Sequence, residues 1–557
     1  KYLEEDLREL QESFTKSLDI VQGPLMDSMK EVGELFGAGK MFLPQVIKSA
    51  RVMNQAVEFL QEDIEKESQQ EKGKPSQKKK ILIATVEGDV HDIGKNIVAL
   101  VLRCNNFEVV DLGVKIPDTE IVDAVVREKP DIIGLSELIT ASLDKMTEVL
   151  DGLESQNIKT PVLLGGAATS SIHTAIKAVP HYSGHVLHVS DAMKSVNTAT
   201  ALTAENAGTF LKEAEEAQKQ LQDEYRKKKS ASQFLPLSEA RKRKFGHQNG
   251  HQQKPNMLDI EIFDKFDINE VEKYIDWTPF FHGWGLKGKY PSIFEKDRVG
   301  PEAKRVYDEA RTMLREIKEQ GIVNPRGVIG LFPANSHGDD ILLFTDDSRK
   351  EVLMKIPMLR QQQTKNQQSY TLSLADFVAP VDSGIKDYFG GFAVTSGLGL
   401  EEHLEELKNS GDSYNSIMFR LVTDRLVEAA AELMHERVRK EYWGYDPGEE
   451  LSTEETIQGK YKGIRPAIGY PICPDHRLKR DLFDLLKVEE RTGIELTETY
   501  VMKPASSVSG FYMANEASKY FGVGKIGKDQ IHDYAQRTGK SIEDTEKWLH
   551  FALKKDS

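Results

Sequence analysis

Between residues 81 and 189 one pattern recurs five times: a short β-rich run followed by an amphipathic stretch of helical length. The runs are ILIATV (81–86), FEVVDLG (107–113), DIIGLS (131–136), PVLLGG (161–166) and HVLHV (185–189), at intervals of roughly 25–30 residues. Runs this apolar are buried on both faces, and a helical crossover between successive strands makes them parallel. The expected architecture of this part is an α/β domain with a parallel five-stranded sheet and helices on both sides. In an open sheet of that kind, ligands sit beyond the carboxyl ends of the strands. The loops after the runs are therefore where chemistry belongs.

The first of these loops reads EGDVHDIGKN (87–96) and enters a helix at Gly94. Asp89 lies two residues before His91, so its carboxylate is placed to accept a proton from one imidazole nitrogen and leave the other free for a metal. The third run ends at Ser136, with Thr140 and Ser142 in the loop beyond it. The fourth ends in Gly165-Gly166, where missing side chains let a large flat ligand approach the backbone. A phosphate-cradling loop needs several glycines after the first strand, and only Gly94 follows Gly88 here. A dinucleotide fold is not expected.

The flanks differ in character. In the expected division, residues 1–66 are helical, with Leu3, Leu7, Leu10, Phe14, Leu18 and Val21 drawing one apolar stripe. Gly23-Pro24 interrupts the first helix, a second runs from Leu25 to Phe36, and a third starts near Pro44; together they read as part of a bundle. Residues 67–80 are a polar linker and 81–225 the α/β domain. Residues 226–258 are a second linker, with the basic runs 226–229 and 241–244, read as a solvated tether or a docking patch for an acidic partner. Residues 259–557 form one α+β domain, with strand-like runs at 327–334 and 374–380.

Composition removes several function classes. The net charge of −15 over 557 residues argues against nucleic acid as the principal ligand. No apolar run approaches the ~18–20 residues of a membrane span. The two cysteines, Cys104 and Cys473, supply neither a disulfide framework nor a Cys-rich zinc site, which fits a reducing, cytoplasmic setting. The opening KYLEEDLREL is not a secretory signal and has no initiator Met, so the chain is read as a piece of a longer one.

The constellation Asp89-x-His91-x-x-Gly94, then Ser136-x-Leu138, then Gly165-Gly166 resembles the cobalamin-binding domain of cobalamin-dependent methyltransferases and mutases, a Rossmann/flavodoxin-like fold. The resemblance implies that His91 is the lower axial ligand of cobalt and that Asp89 and Ser142 complete a relay adjusting its proton. Ser136 and Thr140 would contact the displaced nucleotide tail, and Gly165 and Gly166 would make room for it. Glu137 stands where the family has a small residue; its carboxylate is expected to point to solvent, the alternative being a perturbed tail pocket.

Residues 23–53 resemble the cap bundle of the cobalamin-dependent methionine synthase family, which places Phe36, Leu43 and Val46 over the methyl face of the corrin. That family's cap has four helices against three read here. YIDWTPFF (274–281), RGVIGLFPAN (326–335), LADFVAP (374–380), HERVRKEYWGY (435–445) and GIRPAIGYP (463–471) resemble its reactivation domain, which binds S-adenosylmethionine (AdoMet). By that resemblance Asp276 holds the amine, Arg465 the carboxylate, and Ala467, Tyr470 and Tyr520 the adenosine, with Glu428 a further carboxylate. Ile468 replaces a proline of the family pattern, a change expected to alter loop stiffness more than chemistry.

The function so implied is methyltransferase chemistry on methylcobalamin, with AdoMet remethylating cob(II)alamin in support of methyl transfer from methyltetrahydrofolate to homocysteine. The implied partners are a flavodoxin-type or diflavin reductase and N-terminal homocysteine and methyltetrahydrofolate modules; zinc belongs only to the homocysteine module. A monomer is expected. Two alternatives stay open on the sequence: a corrinoid carrier or sensor module, and a cobalamin-dependent mutase subunit.

Overall fold

Five strands, β1 (Lys80–Thr85), β2 (Glu108–Asp111), β3 (Ile132–Ser136), β4 (Val162–Gly165) and β5 (Val186–His188), pair in parallel in the order β2-β1-β3-β4-β5. The structure, a computed structural model, describes residues 2–68, 78–89, 93–105, 107–137, 143–166, 169–229, 233–246, 253–364 and 369–554. His91, Leu138, Thr140 and Ser142 lie outside the described residues. Two compact units emerge: residues 1–227 with 281–310 and 404–419, and residues 228–280 with 311–403 and 420–557. No helix among the described residues is long and apolar enough to cross a membrane.

In the first unit the N-terminal helices are α1 (Leu3–Ser13), α2 (Ser17–Ile20), α3 (Met26–Gly37) and α4 (Leu43–Ser68). Gly23-Pro24 falls in a single π-turn, Val21–Leu25, that joins α2 to α3, with Gly23 off helical geometry. Leu7, Ile20, Ala56 and Leu60 make the small core of this bundle. Residues 67 and 68, assigned to the linker, continue α4. Helices α5 (Ile93–Cys104), α6 (Asp118–Glu128), α7 (Leu143–Ser155), α8 (Ser171–His173), α9 (Ala192–Thr203) and α10 (Ala207–Lys229) alternate with and follow the strands. One face of the sheet, through Leu82, Ala84, Ile133, Leu135, Val162 and Leu164, packs with Ile121, Val125, Met146 and Leu150 of α6 and α7. Strand residues point alternately, so Ile81, Ile83, Ile132 and Leu163 are buried on the opposite side.

In the second unit an antiparallel sheet runs β10 (Val352–Pro357), β9 (Asp340–Phe344), β8 (Arg326–His337), β12 (Asp387–Thr395) and β15 (Ser507–Tyr512), with β7 (Ile260–Phe263) also on β8. Two short pairs complete it: β6 (Gln233–Phe234) with β11 (Gln363–Thr364), and β13 (Glu495–Leu496) with β14 (Met502–Lys503). Gly330 and Gly391 face each other across β8 and β12. A Cβ on either would stand 2.6 or 2.5 Å from Leu486 or Leu482, so this glycine pair lets the helix Leu478–Leu486 seat on the sheet.

Two expectations are corrected here. LADFVAP is not a strand: Leu374–Phe377 is a single 3-10 turn, because the Asp376 carboxylate accepts from the Ser373 N–H and is held by Arg360. The segment 226–258 is also more than a tether. Helix α10 continues to Lys229, β6 pairs with β11, and α11 (Leu237–Lys242) buries Leu237 and Ala240. Arg241, part of the supposed docking patch, donates to Asp339 at 2.7 Å and to both oxygens of Asp533 at 2.9 and 2.7 Å. Asp339 in turn receives the fully buried Arg360 at 2.7 Å, and Arg360 forks onto Asp376 at 2.9 and 2.6 Å.

Candidate functional site

The carboxyl edge of the parallel sheet brings together what the first, third and fourth loops supply. Thr85 pairs with Ser136 and Ser136 with Gly165, so three neighbouring strands end in register. Asp89 is wholly buried just beyond β1, and its amide donates to the Val86 carbonyl at 3.3 Å. Gly94, in the first turn of α5, has nothing among the described residues within 4 Å of where a Cβ would be. Lys95, a residue of the same motif that sequence reasoning passed over, is buried with its Nζ 2.6 Å from both oxygens of Asp111 at the end of β2. That pair pins the start of α5; its signal in the sequence was an acid closing the neighbouring strand.

Glu137 departs from expectation. It is fully buried rather than turned to solvent, because its N–H continues the ladder to the Gly165 carbonyl at 3.1 Å and carries the residue into the sheet edge. The two glycines also differ. A Cβ on Gly165 would meet only Val189, at 3.4 Å, whereas Gly166 has φ +113° and its Cβ would fall 1.7 Å from the Glu137 carbonyl oxygen. Gly166 is demanded by the backbone of the neighbouring strand end.

Phe36, Leu43 and Val46 are buried within the first unit, and Leu43 approaches Gly285. Helix α3 packs against α5 and α9, and α4 against α5. Where α3 passes the end of α5, Gly33 lets the Asn105 side chain lie close, since a Cβ there would stand 2.1 Å from its Oδ1. The bundle is thus seated on the helical layer beside the sheet.

In the second unit, residues 464–467 add to the outer edge of β15. Ile464 and Met513 exchange backbone hydrogen bonds at 2.9 and 3.0 Å, the Phe511 N–H donates to the Pro466 carbonyl at 2.9 Å, and Ala467 bridges Gly510. This presents Arg465 to the helix Ser413–Arg437. Its Nη2 donates to Glu432 Oε2 at 3.0 Å, and its Nη1 lies 3.9 Å from Glu428. The Tyr520 hydroxyl accepts from the Arg465 N–H at 3.1 Å. Tyr470 and Tyr520 are 63% and 59% exposed, leaving two aromatic rings open beside the guanidinium. Asp276 accepts from the Thr278 N–H at 2.9 Å and so caps the helix Trp277–Gly283.

Behind Arg465 lies a buried polar cluster that sequence reasoning missed. Arg439 donates to both oxygens of Glu449, at 2.6 and 2.8 Å, and stacks over Tyr461, 4.1 Å from the ring centroid. His435 stacks on Tyr512, and burial followed by Arg439 and Arg465 holds its imidazole far below the usual range, hence neutral. Burial pushes the Glu432 carboxyl up against the pull of Arg465 and Arg439. Glu432 Oε1, His435 Nδ1, Arg439 Nη1, Arg465 Nε, Ser509 Oγ and Tyr512 OH are buried here without a hydrogen-bond partner. The available signal was spacing. Residues 428, 432, 435 and 439 recur every three or four positions, a polar stripe of ionisable side chains among the buried Ala429, Ala430, Leu433, Met434 and Val438.

Both places fit the groups their residues imply. The sheet edge offers a buried acid, Asp89, in the loop after β1 and open space at Gly94. The Arg465 edge offers unpaired buried donors beside two exposed rings, the chemistry an amino-acid head and an adenosine require.

Comparison with known proteins agrees. Residues 267–539 match the family described as vitamin B12 dependent methionine synthase, activation domain, and residues 79–183 and 1–61 match two families of B12 binding domain. The solved MetH reactivation domain bound to AdoHcy is 45% identical, the match covering 58% of this chain and 99% of that one with a TM-score of 0.56. The methanol:cobalamin methyltransferase complex MtaBC from Methanosarcina barkeri is 32% identical over 36% of this chain and 74% of that one, with a TM-score of 0.31. B12-binding modules joined to an activation domain define a multidomain, cobalamin-dependent methyltransferase class of chain. This chain belongs to the vitamin B12-dependent methionine synthase family.

Proposed function

We propose that the chain carries out reductive remethylation of cobalamin with AdoMet as methyl donor, supporting methyl transfer from methyltetrahydrofolate to homocysteine. When bound, cobalamin supplies a cobalt centre that takes up and releases a methyl group. His91 would hold the cobalt, and Asp89 with Ser142 would set the proton on its imidazole. Gly94, Ser136, Leu138, Thr140, Gly165 and Gly166 surround the nucleotide tail. Phe36, Leu43 and Val46 exclude water from the methyl face when the bundle covers it. Seating of the bundle on α5 and α9 supports a second arrangement in which that face is open to another methyl donor.

Arg465 takes the α-carboxylate of AdoMet, Asp276 and Glu428 its ammonium, and Ala467, Tyr470 and Tyr520 the adenosine. The electron comes from a flavodoxin-type or diflavin reductase, and homocysteine and methyltetrahydrofolate modules use the same cofactor. The chain acts as a cytoplasmic monomer. The observation that carries the reading is the pairing, in one chain, of a B12-binding sheet edge with an activation-domain guanidinium whose Nε is buried and unpaired.

The test is spectroscopic. The purified chain is loaded with cobalamin and reduced with and without AdoMet, and the methylated absorption spectrum is expected to return only with AdoMet. Binding without that return would leave a corrinoid carrier; absence of AdoMet binding would favour a mutase subunit. His91→Gly is expected to lose the histidine-on absorbance, and a wild-type spectrum in that variant would remove His91 as ligand.

A further inference from the structure

We infer that Glu432 is the positioning residue of the AdoMet carboxylate subsite: by holding one N–H of Arg465 Nη2 it fixes the plane of the guanidinium and leaves Nε, with the Nη2 proton beside it, for the incoming α-carboxylate. The inference rests on the reading of Arg465 given above and adds a residue that touches no part of the ligand.

The two buried ion pairs on this helix are built differently. Arg439 and Glu449 are 0% and 2% exposed and meet through two parallel hydrogen bonds, so that pair is closed. Glu432 uses one oxygen, on Arg465 Nη2, and keeps Oε1 buried and unpartnered, 4.0 Å from Arg439. Arg465 likewise spends one nitrogen and keeps Nε buried and unpartnered. A buried ion left half satisfied costs stability, so folding alone does not account for this geometry. A guanidinium held at one corner and open along the adjoining edge is suited to accept a second carboxylate in a forked contact.

The surroundings hold that corner in place. Glu432 projects from a helix whose neighbouring residues Ala430, Ala431 and Leu433 are buried, so its backbone has no room to drift. Arg439, locked by Glu449 and Tyr461, faces Glu432 from behind. His435, neutral beside them, adds no competing charge. Tyr520 pins the backbone of Arg465 through its N–H. The guanidinium is therefore oriented before ligand arrives, which lowers the ordering cost of binding.

Calorimetric titration of the full chain with two ligands tests this. AdoHcy carries the α-carboxylate; 5′-methylthioadenosine keeps the adenosine and sulfur but lacks the amino-acid head. Glu432→Gln is expected to weaken AdoHcy about tenfold or more and leave methylthioadenosine within about twofold, with Glu432→Asp recovering part of the loss. Arg465→Ala should weaken AdoHcy at least as much, and adding Glu432→Gln to it should cost nothing further. Equal weakening of both ligands by Glu432→Gln, or wild-type AdoHcy affinity in that variant while Arg465→Ala loses it, overturns the positioning role. Wild-type AdoHcy affinity in Arg465→Ala overturns the underlying reading of the subsite instead. Should Glu432→Gln fail to fold, the ligand split measured on Glu432→Asp decides in the same way.

Discussion

Replacing Gly166 by Ala makes the sharpest test of how the cobalamin edge is built. The added Cβ would lie 1.7 Å from the Glu137 carbonyl oxygen, 2.6 Å from its carbon and 2.8 Å from its nitrogen. The β3 end or the Gly166 turn must retreat by about 1.7 Å or more before the contact becomes ordinary. The retreat breaks the Glu137 N–H to Gly165 bond at 3.1 Å and the two bonds from Thr169 to the Gly166 carbonyl, at 3.1 and 2.8 Å. A side chain at φ +113° adds about 1–3 kcal/mol of backbone strain. With about 1 kcal/mol for each of the three weakened bonds, the total is about 4–6 kcal/mol.

Hydrogen exchange of the β3 and β4 amides in the full chain reads this directly. Protection there is expected to fall by about three to somewhat more than four orders of magnitude. Gly165→Ala is the control, since its Cβ meets only Val189 at 3.4 Å; it should cost less than about 1 kcal/mol and act, if at all, on cobalamin uptake. Near-wild-type protection in Gly166→Ala, or equal losses in the two variants, would refute the argument that backbone approach, rather than ligand room, demands this glycine.

Two further outcomes follow from buried charges in the second unit. Burial, opposed only by Cys473, lowers Lys479 to about 8, while its Nζ reaches the Tyr500 carbonyl at 3.0 Å and His476 at 3.2 Å. Because the folded pKa lies below the unfolded one, this stability term is full above about 10.5 and lost as pH falls through 8. Lys479→Met should therefore gain on wild type by up to about 3 kcal/mol at pH 7, less the two lost hydrogen bonds, with the gain shrinking by pH 10 in urea midpoints; a pH-independent difference would contradict this. Arg360→Met leaves Asp339 and Asp376 buried with too few partners and should cost about 3–5 kcal/mol in chemical denaturation. Arg241→Met, at the exposed end of the same network, should cost clearly less, and the reverse order would count against the network as described.

The parallel sheet was legible because its strands are covered on both sides and read as unbroken apolar runs. Once the strands are placed, the loop positions of Asp89, Ser136 and Gly165 follow from topology. The fate of 226–258 was hidden, since the acids that hold Arg241, Asp339 and Asp533, stand about a hundred and three hundred residues away. LADFVAP misled for a related reason: its apolar content suits a strand, but Asp376 turns the chain. Glu432 escaped notice because a lone acid on a helix is ordinarily a solvated one, and only the flanking alanines hinted otherwise.

Near its end the helix Ser413–Arg437 turns Glu432 and His435 inward, and Arg439 follows just beyond it, which inverts the usual pattern of mutational tolerance there. In most helices a scan finds the apolar stripe unforgiving and the ionisable positions permissive. Here a library over residues 428–439 should retain acids and bases at 432 and 439 at least as strictly as leucine at 433 or methionine at 434, although hydrophobicity alone would rank those positions the other way.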